Sequence, residues 1–234
     1  MRTLSIVVPT LNAAGSLAGC LQALASGRVV FPDMEILVVD GGSTDGTGEI
    51  GAAAGARVIL ALPGRGSQLA AGARLADGDW LLFLHADTVL APDWPRVAAD
   101  HMRSRVSDQG GAPDGRAGYF QFCLDDSTAA ARRLERLVAL RCRVLALPYG
   151  DQGLLISRSL YDRIGGYSAL PLMEDVELIR RLGRRRLVAL DSVAVTSAAR
   201  YRRDGYWRRP MRNLACLSLY YLGVAPARIA RLYG

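Results

Sequence analysis

Asp87 closes the apolar run WLLFLHAD, and Glu174 and Asp175 open the run EDVELIRRL; these carboxylates are the side chains best placed in this sequence to do chemistry. A carboxylate leaving an apolar strand costs several kcal/mol if it is buried without a partner. Asp87 therefore needs a counter-charge, which a divalent cation such as Mg²⁺ or Mn²⁺ bridging two phosphates would supply. His85 offers a second metal ligand, a hydrogen-bond donor to phosphate, or a structural imidazole. Adjacent acids at a helix start often only complement the helix dipole. Here Val176, Ile179 and Leu182 take the core-facing positions, leaving Glu174 and Asp175 toward a cleft, after a loop containing Gly165, Gly166 and Pro171 where a substrate could enter.

Further candidates stand at ends of other apolar runs. SIVVPTLN places Pro9, Thr10 and Asn12 at the carboxyl edge of a strand, where open α/β sheets bind ligands. ILVVDGGSTDGT places Asp40 at the end of the next strand, with Gly41 and Gly42 letting backbone come close; Asp40 can accept from a base or a ribose, while Asp45 reads as a turn or helix-start residue. Arg65 precedes a helix and can pair with phosphate or stack on a base. Asp151 and Gln152, in the turn YGDQG, either line a pocket or stabilise the turn.

The elements that must hold these residues alternate. Residues 4–8, 35–39, 57–60 and 80–84 are short apolar runs, each followed by turn chemistry and a helix-like stretch, the pattern of βαβ units with a parallel sheet. They are apolar throughout, which suits central strands covered on both faces. Helices are expected from Asn12 or Ser16 to about Ala25, from Ser43 or Thr44 to about Ala54, over 66–76, and from about Asp93 to Ser104. Residues 107–116 are rich in turn formers and read as an exposed hinge loop. A strand over 119–124 and a long helix over 127–147 follow.

Half of the 234 residues are hydrophobic and 22% are charged, an ordinary globular balance. All 29 basic residues are Arg, unevenly placed: residues 1–126 hold 9 Arg and 14 acids, residues 127–234 hold 20 Arg and 8 acids. An acidic first half binds phosphate poorly unless a cation is supplied; the basic second half suits an anionic substrate or a membrane surface. No nucleic-acid reading motif accompanies the charge. Cys20, Cys123, Cys142 and Cys216 lack CxxC spacing and sit in apolar stretches, which argues against a zinc site or a disulfide framework and for a cytoplasmic setting. No run reaches the roughly 18 apolar residues of a spanning helix, and no secretory leader is evident. The first strand lacks a following GxGxxG, which removes most support for a dinucleotide-binding fold.

Over residues 4 to about 190, SIVVPTLN, VVDGGSTDGT, HADT and PLMEDVEL together resemble the family 2 glycosyltransferases, inverting enzymes of the GT-A fold. The resemblance implies a central, mainly parallel sheet flanked by helices and transfer of a sugar from a UDP- or GDP-sugar to a hydroxyl acceptor. HAD stands where the family has DxD, so Asp87 inherits the metal and diphosphate role. His85 replaces the first acid. Nucleoside contacts carry over to Pro9, Thr10, Asn12, Asp40 and Arg65. The ED motif matches Glu174 and Asp175, making Asp175 the implied base and Glu174 an acceptor-orienting residue; Asp151 and Gln152 fall on the acceptor or sugar side. HADT, YGDQG and PLMEDVEL are also similar to a compact bacterial subgroup named for arsenosugar biosynthesis, implying an arsenosugar precursor as acceptor.

This reading divides the chain into a catalytic domain over 1–196, with a donor half to about 106 and an acceptor half from about 117, and a basic amphipathic helical segment over 197–234. The latter joins Arg200, Arg202, Arg203, Arg208, Arg209 and Arg212 to Tyr201, Tyr206, Trp207, Tyr220 and Tyr221, as an interfacial anchor, part of an acceptor site, or a helix packed on the sheet edge. Peripheral membrane contact would fit a polyprenyl-phosphate acceptor, and Arg132, Arg133, Arg136, Arg141 and Arg143 would extend the same basic face. The rival functions are a sugar nucleotidyltransferase, which needs a glycine-rich basic loop after its first strand, and an inactive sugar-nucleotide-binding or membrane-docking protein of the same fold.

Overall fold

The structure, a computed structural model, describes residues 2–104 and 115–233. Most of the expected hinge loop, residues 107–114, lies outside the described residues. Strands β1 (Leu4–Thr10), β2 (Glu35–Asp40), β3 (Arg57–Leu60) and β4 (Trp80–Phe83) pair in parallel in the order β3-β2-β1-β4. The same sheet continues through β7 (Leu154–Ser157) and β6 (Ala117–Leu124), each antiparallel to its predecessor, then through β8 (Leu187–Thr196), parallel to β6, to the antiparallel edge strand β5 (Thr88–Leu90).

Alternation along β1 sets the two faces. Ile6 and Val8 pack with Leu17 and Leu24 of α1 (Ala14–Ala25) and with Trp94 and Ala98 of α4 (Trp94–Ser104). Val7 points the other way, into a cluster with Leu69 and Ala73 of α3 (Arg65–Leu75), Val176 and Leu178 of α7 (Glu174–Leu182), Cys216 and Leu217 of α9 (Arg208–Tyr221) and Ile229 of α10 (Pro226–Tyr233). The segment after residue 196 thus contributes to the core. A third cluster joins Phe122 and Leu124 to Ala131, Leu134 and Val138 of α5 (Ala129–Leu145), whose first turn is capped by Thr128. Two short helices, α2 (Thr47–Ala53) and α6 (Arg158–Arg163), complete the flanks, and α8 (Ala199–Asp204) leads into α9.

Three expectations change. β3 is an edge strand, not a central one, and its Leu60 is 80% exposed. Neither Asn12 nor Ser16 caps α1: the Asp45 carboxylate accepts from the Ala14 N–H at 3.0 Å and the Thr47 hydroxyl from Ala13 at 2.9 Å. Those residues are occupied as caps in trans, so α2 begins only at Thr47, after Gly46 turns the chain with φ of 87°. Strands β5, β7 and β8 were not anticipated, although LVALDSVAVT in β8 alternates as a half-buried strand should.

The connection from β4 to β5 requires the sheet to curl. Four strand spacings separate these strands in the sheet order, about 19 Å if the sheet were flat. Five residue steps from Phe83 to Thr88 reach at most about 18 Å when fully extended, and Ala86–Asp87 form a turn. The far edge therefore folds back toward the end of β4, and His85 and Asp87 sit in the short bridge between them.

Candidate active site

β1, β2 and β4 end on one side of the sheet, and the order reverses between β1 and β4, the topological switch point at which open α/β sheets bind ligands. From that edge opens a cleft enclosing ≈ 830 Å³ of empty space, its mouth included, lined by Arg65, His85, Asp87, Tyr149, Asp151 and residues 172–176, and closed by Thr196, Ser197, Arg200, Tyr201, Arg209 and Asn213. Asp87 and Asp175, 88 residues apart in sequence, thus face a common cavity. The start of α3, which delivers Arg65 to it, is set by close backbone packing. A Cβ on Gly66 would lie 2.3 Å from the Ser168 carbonyl oxygen, so only glycine lets the start of α3, with Arg65, press against the loop before α7. A Cβ on Gly150 would lie 2.4 Å from His85 Nε2.

Asp175 is held by backbone donors: the Gly150 N–H reaches Oδ2 at 3.0 Å and the Val176 N–H reaches Oδ1 at 2.7 Å. Glu174 is buried, and Arg65 on the neighbouring helix pairs with it at 3.2 Å, joining the starts of α3 and α7. Burial raises the Glu174 pKa, with further repulsion from Asp175, against the pull of Arg65. The preceding Met173 takes a left-handed conformation, φ 67°, which is uncommon for such a side chain and typical of constrained sites.

Asp151 is half-buried, and its pKa rises to about 6, first through desolvation and then through Asp175 and Asp87, with Arg141 and Arg65 opposing. His85 is pushed well below its ordinary value by burial and by the nearby guanidinium groups of Arg65 and Arg200, so its imidazole is neutral near pH 7. Asp87 is partly exposed and meets Arg200 at 3.8 Å. Among the described residues, buried side-chain atoms without a hydrogen-bond partner include His85 Nε2, Asp151 Oδ1 and Asn213 Oδ1, and all three belong to residues lining this cleft. Buried polar atoms are nearly always satisfied by protein or by water, and these exceptions gather in the cleft.

The neutral imidazole nitrogen of His85 and the Asp87 carboxylate suit a divalent cation. No cluster of three or more His, Cys, Asp or Glu able to hold one occurs among the described residues. A cation seated here would take its remaining ligands from phosphate oxygens and water, as Mg²⁺ commonly does.

The other expected contacts lie elsewhere. Pro9, Thr10, Asn12, Asp40 and Gln152 do not line this cleft. Burial alone would raise the Asp40 pKa, but hydrogen bonds from Ser43, Thr10 and Gly42 hold it below the usual carboxylate range. Those four bonds, from Thr10 Oγ1, Ser43 Oγ and the N–H groups of Gly42 and Ser43, fill its acceptor positions. Asp40 shapes the turn in this structure rather than offering a free oxygen to a base. Asn12, exposed and at φ 50°, accepts from the Thr44 N–H at 3.0 Å and extends the same turn. Gln152 is corrected from a pocket residue to a buried strut: its amide nitrogen donates to Phe120 O at 3.1 Å, and its oxygen accepts from Arg141 at 3.1 Å. Arg141 likewise leaves the expected basic face, turning inward with its guanidinium 3.6 Å from the Tyr149 ring centroid. Arg200, Tyr201 and Arg209, read from the sequence as an anchor, part of an acceptor site or a packed helix, line the cleft, and so does Asn213, which the sequence did not single out.

Comparisons with known proteins bear on the family and the fold. Curated relatives from Mycobacterium tuberculosis and Mycobacterium bovis named PGL/p-HBAD biosynthesis glycosyltransferase are 42% identical over 104 residues, covering 41% of this chain and 40% of theirs. Those names lend no support to the arsenosugar acceptor implied by the subgroup resemblance. Among solved structures, S. aureus TarS (residues 1–349) superposes with a TM-score of 0.64 at 18% identity, over 85% of this chain and 61% of that one. Mannosyl-3-phosphoglycerate synthase from Rubrobacter xylanophilus gives 0.56 at 20% identity, over 95% and 76%. Glucosyl-3-phosphoglycerate synthase from Mycobacterium tuberculosis, in complex with Mn²⁺, UDP and glucosyl-3-phosphoglycerate, gives 0.54 at 22% identity, over 84% and 70%. At these identities the structures establish the likeness of fold. The fold is that of the GT-A glycosyltransferases, and residues 5–116 match the model described as Glycosyl transferase family 2.

Proposed function

We propose that this chain transfers a sugar from a nucleotide-diphosphate donor to a hydroxyl acceptor, by a single in-line displacement that inverts the anomeric carbon. The observation that carries the reading is the convergence of Asp87, Asp151, Glu174 and Asp175 with Arg65 and Arg200 on one cleft where buried polar atoms await partners. Asp87, with His85, would hold a divalent cation, Mn²⁺ or Mg²⁺, which when bound supplies positive charge to the departing diphosphate. Arg65 and Arg200 flank that position and add cationic charge to it.

Asp175 faces the acceptor. Its two backbone donors fix the carboxylate, and it takes the proton of the attacking hydroxyl as the glycosidic bond forms, an effect worth about 10² to 10⁴ in rate. Glu174, braced by Arg65, orients that hydroxyl. Asp151 accepts a hydrogen bond from a sugar or acceptor hydroxyl through its unpartnered oxygen. Thr10, Asn12 and Asp40 build the turn against which the nucleoside rests, with Pro9 ending the strand beneath it. The solved neighbour holding Mn²⁺ and UDP supports testing a uridine donor first.

The test is thermal shift with UDP, GDP and dTDP, each with and without Mn²⁺, followed by mass spectrometry on a panel of sugar nucleotides and hydroxyl acceptors. Stabilisation by one nucleotide that needs the metal, and a product heavier than its acceptor by one sugar, are the expected results. A nucleotide response indifferent to Mn²⁺ and the absence of both transfer and donor hydrolysis would defeat the reading.

A further inference from the structure

The chain carries a second surface outside the cleft. Along α9, Trp207 just before the helix, Met211 and Leu214 recur at spacings of four and three residues, and all are more than half exposed. Along α5, Leu137, Leu140 and Val144 do the same and are about half exposed. These spacings put each set on one face of its helix. Between the two stripes runs a groove of ≈ 600 Å³, its open side included, whose lining includes Leu134, Leu137, Trp207, Pro210, Met211 and Leu214. Large apolar side chains exposed together mark an interaction surface.

The exposed charge on these two helices has one sign. Exposed Arg133, Arg136 and Arg143 lie on α5, and exposed Arg208 opens α9. α9 contains no acid, and the one acid of α5, Glu135, is turned inward and paired with Arg132 at 2.6 Å. Apolar side chains flanked by Arg, with a Trp at the margin, match a bilayer interface: the hydrocarbon parts enter the headgroup boundary while the guanidinium groups meet lipid phosphate. We infer that the α5–α9 face docks this protein onto an anionic membrane surface. No helix among the described residues is long and apolar enough to cross a membrane, so the contact is peripheral.

The same α9 that displays Trp207 and Met211 outward sends Arg209 and Asn213 into the cleft. Docking therefore places α9 between the bilayer and this wall of the cleft, a helix diameter of about 10 Å, and the acceptor class that suits such a span is a hydroxyl carried on a lipid headgroup. That consequence rests on the sugar-transfer reading; the docking does not.

The experiment is co-sedimentation of the full chain with phosphatidylcholine vesicles containing or lacking phosphatidylglycerol, without donor or metal. Trp207 supplies the optical signal, because Trp80 and Trp94 are buried. Anionic vesicles should bind at least tenfold more strongly than neutral ones, blue-shift the fluorescence, and release the protein in high salt. A triple variant, W207S/M211S/L214S, and a charge variant, R133E/R136E, should each lose at least tenfold in binding while keeping the circular dichroism and donor binding of the parent. Equal binding to neutral and anionic vesicles, or variants that bind like the parent, would overturn the inference. So would a dimer in sedimentation that the triple variant abolishes, since the face would then belong to a second copy. Vesicle docking without donor binding would sink the transfer reading alone, and the reverse pattern would sink the docking alone.

Discussion

At the scale of single residues, the cleft gathers four carboxylates, Asp87, Asp151, Glu174 and Asp175, in unlike surroundings. Asp175→Asn keeps the shape and the Val176 hydrogen-bonding geometry but removes the proton acceptor, so the expected outcome is a kcat lowered by about 10² to 10⁴ with the nucleotide Kd unchanged. Equal losses in both would reassign Asp175 to a structural role. Asp151 titrates at about 6, above its unfolded value, so the folded state binds more protons than the unfolded one between about pH 4 and 6. Its contribution is fully present below that window and is lost as pH rises through 6. Asp151→Asn should therefore flatten the fall in Tm across this window and, in EDTA, stabilise the protein at pH 7.5 by about 1 to 3 kcal/mol. A variant whose melting curve tracks the parent at every pH would contradict the burial argument. Asp87, Glu174 and Asp175 were legible in the sequence because acids at the ends of apolar runs need a reason. The saturation of Asp40 was not, since its partners Thr10 and Ser43 come from two strand ends that only the parallel register of β1 and β2 brings together.

At the scale of elements, the βαβ rhythm predicted β1 to β4 and α1, α3 and α4 closely, because hydrophobic period and turn chemistry are local signals. It failed at α2, whose early residues were recruited to cap another helix, and at β5, β7 and β8, where pairing is long-range. At the junction of α3 with the loop before α7 the backbones approach closely at Gly66. Gly66→Ala would force a methyl group against the Ser168 and Leu170 backbone, which cannot yield like a flexible side chain. The expected cost is about 1 to 3 kcal/mol in denaturant unfolding, with Arg65 displaced and nucleotide affinity reduced. Gly55→Ala, where a Cβ meets no neighbour within 4 Å although φ is +75°, isolates the backbone-strain part of such a cost.

At the scale of the whole molecule, the segment after residue 196 belongs to both the core and the site. Cys216, Leu217 and Ile229 are buried in the second-face cluster, while Arg200, Tyr201, Arg209 and Asn213 wall the cleft. Ending the chain at residue 196 should remove apolar burial worth on the order of 5 kcal/mol, a large share of a domain's net stability. The truncated chain should melt at least 10 °C lower and lose donor binding; a truncation that melts like the parent would show that segment to be an appendage. The curl of the sheet carries a further consequence. Because the short stretch from Phe83 to Thr88 closes a turn, the Thr88 N–H donating to the His85 carbonyl at 3.1 Å, the address of Asp87 is fixed by the length of that turn as well as by the strands on either side. One inserted residue there would keep every pocket residue in the sequence yet open that turn, so that a loss of the proposed cation affinity would come from geometry alone.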